Sequence, residues 1–183
     1  MTLPPPAWPA ALPPPRDPAA PYRVCLVCLG NICRSPMAEA VLRAELDRIG
    51  LGDAVEVDSA GTGDWHVGHR MDSRARAELA TRGYDGAPHL ARQFRPSWLA
   101  ERDLVLAMDE HNLTDLRRMA ADRPAECDRI RLLRSFDPAS GKDAEVPDPY
   151  YGEGASFGMV LDLVEAAARG LAKVFSAAAA DHS

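Results

Sequence analysis

The sequence predicts a single α/β domain built on a parallel sheet with crossover helices, and three observations support this. Short apolar runs that suit strands alternate with stretches whose apolar residues recur every three or four positions. Helix-start and helix-stop residues fall between the two kinds of segment. The chain has 183 residues, 46% of them hydrophobic, which is enough to bury one core and too little for two domains.

Taken in order, residues 1–21 hold nine of the sixteen prolines and cannot run a helix or a ladder. A disordered, largely polyproline-type tail over 1–21 is expected, with the folded domain covering 22–183. Residues 23–28 (Arg-Val-Cys-Leu-Val-Cys) read as the first strand. Residues 36–49 carry Met37, Ala38, Val41, Leu42, Leu46 and Ile49 at helical spacing, with Ser35 as the expected N-cap, Pro36 at the first helical position and Gly50 at the stop. A short strand at Val55-Glu-Val57 precedes a glycine-bearing loop. Asp72 is placed to cap a helix that Gly83 ends. Residues 103–108 form a third strand, after which Asp109 caps a helix with Leu113, Leu116 and Met119 on one side; residues 129–133 form a fourth strand. Phe157, Val160, Leu161, Val164, Ala168, Leu171 and Val174 mark a long amphipathic C-terminal helix.

Composition narrows the functional class. A net charge of −6 argues against a nucleic-acid groove or an anionic membrane surface, so any anion site must be local. Four unevenly spaced cysteines suit a reducing cytosol better than a disulfide framework, and a cytoplasmic location is expected.

The informative segment is Cys28-Leu29-Gly30-Asn31-Ile32-Cys33-Arg34-Ser35, between the first strand and the first helix. Cys-x5-Arg-Ser is expected by chance roughly 0.02 times in a chain of this composition. A loop at the carboxyl end of a parallel strand, running into a helix N-terminus, is a ready seat for an oxyanion. A cysteine there beside a guanidinium is set up to react as a thiolate, which makes Cys28 the candidate nucleophile. Arg34 can grip two phosphate oxygens at once, where Lys would offer a point charge. Gly30 and Asn31 are the residues that tolerate the left-handed turns of a wrapped loop. Ser35 can stabilise the Cys28 sulfur as it leaves, as well as cap the helix.

Cys25 and Cys28 have the spacing of a redox dithiol or half a zinc site, but they lie on opposite faces of one strand and no second pair exists; no metal is expected. Cys25 and Cys127 are read as buried small hydrophobes. Cys33 stays open between a packed residue and a redox partner that forms a reversible disulfide with Cys28. Further along, Pro147-Asp148-Pro149-Tyr150-Tyr151 holds a carboxylate in a stiff loop, and Asp148 is the candidate general acid and base. Trp65, Tyr150 and Tyr151 can wall a slot for an aromatic leaving group or can simply pack. His66 lines the mouth of that slot or sits in solvent.

Together, Cys28 to Glu39, Asp58-Ser-Ala-Gly-Thr62 with Trp65, His89-Leu-Ala-Arg-Gln93, and Asp148-Pro-Tyr-Tyr-Gly152 resemble the low-molecular-weight protein tyrosine phosphatases, in particular their bacterial branch. The resemblance runs from Tyr22 to about Val174. It implies a four-stranded parallel sheet of flavodoxin-like, doubly wound type with helices on both faces. It also implies phosphotyrosine hydrolysis without metal or cofactor through a phosphocysteine, with Cys28 as nucleophile, Arg34 as clamp and Asp148 as acid and base. Leu29, Gly30, Asn31, Ile32, Cys33 and Ser35 would complete the phosphate-binding loop, with Asn31, Ser35 and His89 as a hydrogen-bonded brace beneath it. A tyrosine-phosphorylated protein is the implied partner, a cognate tyrosine kinase among the candidates, and a monomer is expected. Two departures stand out: the Pro-rich tail lies outside the family pattern, and Ser156-Phe157-Gly158 replaces an acidic run before the last helix. Protein arginine phosphatases resemble the same loop but carry Thr at the position of Ile32 and Phe-Gly where Tyr150-Tyr151 stand. A phosphoprotein-binding module without turnover is the alternative of another class, and such a module has no use for a general acid.

Overall fold

The computed structural model describes residues 11–141, 143–152 and 155–181. Four strands, β1 (Tyr22–Cys28), β2 (Val55–Gly61), β3 (Leu104–Ala107) and β4 (Ile130–Leu132), form one sheet in the order β2-β1-β3-β4, with every pairing parallel. Helices α1 (Arg34–Arg48), α2 (Ser73–Thr81), α3 (Glu110–Met119), α4 (Pro124–Cys127) and α5 (Phe157–Ala180) connect and cover it. Alternation along β1 sorts its side chains between two cores. Val24, Leu26 and Cys28 join the cluster under α1 and α5, whereas Cys25 and Val27 join the one under α3. A sheet buried on both faces explains why the strands read as nearly continuous apolar runs. Among the described residues no helix is long and apolar enough to cross a membrane.

Strand order reverses at β1, so the crevice between the carboxyl ends of β1 and β3 is the natural ligand position for this topology. Cys28 ends β1 there, and Asp109 follows β3 on the other side of the gap.

Three local expectations need correction. The second strand runs past Val57 to Gly61, pairing residue for residue with β1 so that Gly61 faces Cys28. The glycine at its end is a requirement of the fold: a Cβ on Gly61 would stand 2.6 Å from the Leu29 carbonyl oxygen. Helix α1 starts at Arg34 with Cys33 in the capping position, so Ser35 is inside the first turn and caps nothing. The Pro-rich segment is docked over its described part, residues 11–21, where its backbone is hydrogen-bonded by side chains at the amino ends of the strands. Arg131 Nη1 donates to the Ala11 carbonyl (2.7 Å), Tyr22 Oη to that of Pro13 (2.9 Å) and Arg129 Nη1 to that of Pro14 (2.8 Å). Residues 1–10 of the expected tail lie outside the described residues.

The other elements expected from the sequence match their signals. Asp72 accepts from the Arg74 amide to cap α2, Asp109 from the Asn112 amide to cap α3, and Ser156 from the Met159 amide to start α5 without the acidic run. The short helix α4 and two 3-10 turns, Pro96–Ala100 and Leu133–Phe136, were not signalled by any apolar period.

Candidate active site

The segment from Cys28 to Ser35 wraps the carboxyl end of β1. Asn31 adopts a left-handed conformation (φ 57°), and its amide turns back to donate to Cys28 Sγ at 3.2 Å. Gly30 has no such conformation; its lack of a side chain serves a close approach, since a Cβ there would meet the His66 ring at 2.8 Å. Ser35 Oγ lies 3.0 Å from Cys28 Sγ, so the hydroxyl that does not cap the helix faces the sulfur instead.

A polar brace under the loop fixes this shape. The Asn31 side-chain amide donates to Ser35 Oγ (2.8 Å) and Ser59 Oγ (2.9 Å), and its Oδ1 accepts from the Arg92 backbone amide (2.9 Å). Ser59 Oγ in turn donates to Glu39 Oε2 (2.5 Å). His89 Nε2 sits 2.7 Å from the Asn31 carbonyl, which only accepts, so this nitrogen carries the proton. Burial lowers the His89 pKa below its ordinary value and keeps the ring neutral, against the pull of the Asn31 carbonyl and the Glu39 carboxylate. Asn31 and Ser35 are both fully buried, and every hydrogen bond in this brace replaces one made to water in the unfolded chain. The structure thus brings Asn31, Ser35 and His89 together, and adds Ser59, Glu39 and Arg92. All three lie in the segments that carry the family resemblance, but they arrive from a strand, a helix and a distant loop, so no local spacing shows that they meet.

Arg34 is buried (3% exposed) and held from below. Its Nη1 donates to Asp109 Oδ2 (2.5 Å) and to the Val146 carbonyl (3.1 Å), while Nη2 reaches Asp148 Oδ2 at a looser 3.4 Å. Burial alone would lower the Arg34 pKa; the Cys28 sulfur and the Asp109 carboxylate more than offset that and hold it above its ordinary value. Asp109, read from sequence only as a helix cap, therefore does two jobs, Oδ1 starting α3 and Oδ2 anchoring the guanidinium.

Above the loop opens a cleft of about 400 Å³, within the usual range of small-ligand pockets. Cys28, Arg34 and Asp148 reach it from different elements. Leu29, Gly30, Ile32 and Cys33 form its floor, and Trp65, His66, Tyr150 and Tyr151 its walls. His66 takes the mouth position rather than a solvated one, 6.2 Å from the Tyr150 ring. The Tyr150 and Tyr151 rings meet edge-on at 5.0 Å, and Tyr151 is 83% exposed at the rim. Cys33 is buried and its thiol pKa is pushed up by that burial; it and Cys28 are both free thiols. Cys25 is fully buried on the opposite face of the sheet, and Cys127 is partly buried against the second core.

Known proteins resemble this chain in sequence and fold. The family model described as low molecular weight phosphotyrosine protein phosphatase matches residues 23–180. A curated low molecular weight protein-tyrosine-phosphatase from Streptomyces coelicolor is 57% identical over 153 residues, 82% of this chain and 91% of that protein. Among solved structures, YfkJ from Bacillus subtilis superposes with a TM-score of 0.81 at 34% identity, covering 88% of this chain and 99% of that one. The drosophila arginine phosphatase superposes at 0.75 with 32% identity, covering 83% and 96%. A cysteine-and-arginine loop at the switch point of a four-stranded parallel sheet, matched over nearly the whole described chain, assigns the protein: it belongs to the low molecular weight phosphotyrosine protein phosphatase family.

Proposed function

We propose that the chain hydrolyses phosphotyrosine in proteins through a covalent phosphocysteine, with Cys28, Arg34 and Asp148 as its catalytic residues. The observation that carries this reading is the convergence of the Cys28 sulfur, the Arg34 guanidinium and the Asp148 carboxyl group on one cleft walled by aromatic rings.

In the first step the Cys28 thiolate attacks phosphorus as the bond to the tyrosyl oxygen breaks. Asp148, as the acid, passes its proton to that oxygen, so the leaving group departs as a phenol. Arg34, already oriented by Asp109 and the Val146 carbonyl, holds two non-bridging oxygens through the transition state without having to reorganise. In the second step Asp148, now a carboxylate, takes a proton from the attacking water. The sulfur–phosphorus bond breaks, and the Ser35 hydroxyl, 3.0 Å away, stabilises the departing sulfur. Trp65, Tyr150 and Tyr151 supply flat surfaces for the substrate ring. A tyrosine-phosphorylated protein partner, monomeric action and a cytoplasmic location complete the proposal.

Hydrolysis of a phosphotyrosyl peptide in the presence of a metal chelator, compared between the wild-type chain and Cys28→Ser, tests it. The wild type is expected to release phosphate. Cys28→Ser is expected to lose about 10⁴-fold or more, the scale on which removal of a nucleophile acts, while still binding vanadate. Equal release by both proteins would remove Cys28 from the mechanism. The likeness to the drosophila arginine phosphatase favours one second reading, phosphoarginine hydrolysis, so a phosphoarginyl peptide belongs in the same assay; faster turnover of it would reverse the substrate assignment.

A further inference from the structure

The loop that carries Asp148 is tied to the body of the molecule ahead of that residue: Arg134 Nη1 donates to the Glu145 carbonyl (2.9 Å) and the Glu110 amide to Glu145 Oε1 (2.8 Å). Val146 N donates to the Met108 carbonyl (2.7 Å), which anchors the start of the loop to the end of β3. Tyr150 N donates back to Asp148 Oδ1 (3.0 Å) and Gly152 N to the Pro149 carbonyl (3.1 Å), both within the loop itself. Among the described residues, the side chain that grips the backbone just past Asp148 is Arg74, whose Nη1 donates to the Tyr150 carbonyl at 3.1 Å.

Arg74 is shaped for that task. Its guanidinium is locked onto Asp72 through two contacts, Nε to Oδ1 (3.1 Å) and Nη2 to Oδ2 (2.9 Å), which leaves Nη1 pointing at the loop. The flat group also lies over the Tyr150 ring at 5.4 Å and the Phe157 ring at 4.9 Å. Asp72 is rooted in turn: its side chain caps α2, and its own amide donates to the Ile32 carbonyl of the phosphate-binding loop at 2.9 Å. A continuous path therefore leads from Ile32 through Asp72 and Arg74 to Tyr150, two residues past the carboxyl group that must meet the leaving oxygen.

We propose that Arg74, seated on Asp72, is a positioning residue that sets the distance between the acid-bearing loop and the phosphate-binding loop, and so governs proton delivery by Asp148. It touches neither substrate nor sulfur; it acts through Tyr150. The proposal rests on Asp148 being the general acid, and it separates Arg74 from a plain surface arginine. An exposed ion pair such as Arg74 and Asp72 contributes little to stability by itself, but a loop shifted by a fraction of an ångström no longer hands over a proton efficiently.

The test uses the full chain and two aryl phosphates, one with a leaving group that needs a proton (phosphotyrosine) and one whose activated phenol does not. Arg74→Ala is expected to lower kcat on phosphotyrosine by roughly tenfold, a part of the ~10²–10⁴ a general acid supplies, and to lower it far less on the activated ester. Arg74→Lys keeps the charge but not the fork or the stacking, and is expected to recover only part of the loss. The acid-dependent limb of the kcat pH profile should weaken in Arg74→Ala while thermal stability stays close to wild type. An equal loss on both substrates, or no loss on either, would overturn the proposal. Asp148→Asn in the same assay tells the two ideas apart. If it also loses equally on both esters, the acid assignment has failed; if it shows the leaving-group split and Arg74→Ala does not, the Arg74 linkage alone has failed.

Discussion

At the amino end of the sheet Arg16 lays its guanidinium against the Leu99 and Arg102 carbonyls and the Glu126 carboxylate, while buried Asp103 accepts from the Arg16 and Arg23 amides at 2.7 Å each. At the carboxyl end Arg34 is equally bound to a carboxylate and a carbonyl, but its second nitrogen makes only the long 3.4 Å contact to Asp148. The same two groups, guanidinium and carboxylate, seal one end of the sheet and arm the other. The difference is what stands beside the guanidinium. At the amino end Nε and Nη2 of Arg16 go to acceptors of the protein itself, and the polar groups behave as mortar between Pro-rich segment and strands; at the carboxyl end the loosely held nitrogen of Arg34 stands beside a cleft, where a phosphate can claim it.

The comparison can be broken most severely at Arg34. Arg34→Lys cannot span Asp109, the Val146 carbonyl and two phosphate oxygens together, and is expected to lower kcat by roughly 10²–10³-fold, the usual cost of losing a preorganised oxyanion donor. Vanadate affinity should drop with it in a titration, with Tm nearly unchanged; a Lys variant of wild-type activity would refute the clamp. The opposite outcome is expected at the other end. Asp103→Asn turns one of two buried acceptors into a donor facing an amide, costing about 2 kcal/mol of stability, while kcat on an aryl phosphate stays at the wild-type value. Loss of activity with unchanged melting would show that the two ends are not separable.

The smallest effect concerns pH and the brace beneath the loop. The pKa of His89 is lowered in the fold from an ordinary 6.5, so above that pH both folded and unfolded chains hold it neutral and its contribution is constant. As pH falls from 6.5 toward the folded value, the unfolded chain takes up a proton that the fold resists, and stability declines. His89→Gln, which still offers a donor toward the Asn31 carbonyl, should flatten that decline in melting curves taken across the interval. An unchanged slope would place the pH dependence elsewhere.

How far sequence reading reached follows from what kind of information each feature needs. The frame of strands and helices was readable because apolar period and capping residues are local, as Asp72, Asp109 and Gly83 illustrate. Cys28, Arg34 and Ser35 stood out because the loop that holds an anion is one contiguous segment. Of the two readings of Ser35 the cap failed, because the helix starts one residue earlier at Arg34, while the expected approach of its hydroxyl to the Cys28 sulfur is present. The end of β2 hid behind its glycine, which looks like a loop residue until the Leu29 carbonyl is found pressed against it. The docked stretch from Ala11 was misread because proline content speaks of internal hydrogen bonding only. Arginines 129 and 131, more than a hundred positions away, supply its partners from outside.

Asp109 has a consequence for how this enzyme can change over generations. By starting α3 and holding Arg34 with one carboxylate, it ties the candidate phosphate seat to the end of the sheet, and through Arg34 that hold extends to Val146 and Asp148 in the neighbouring loop. Substitutions at exposed rim positions such as Trp65 and Tyr151 can therefore accumulate and retune which leaving groups are accepted, with Asp109 and the groups it holds inherited unaltered.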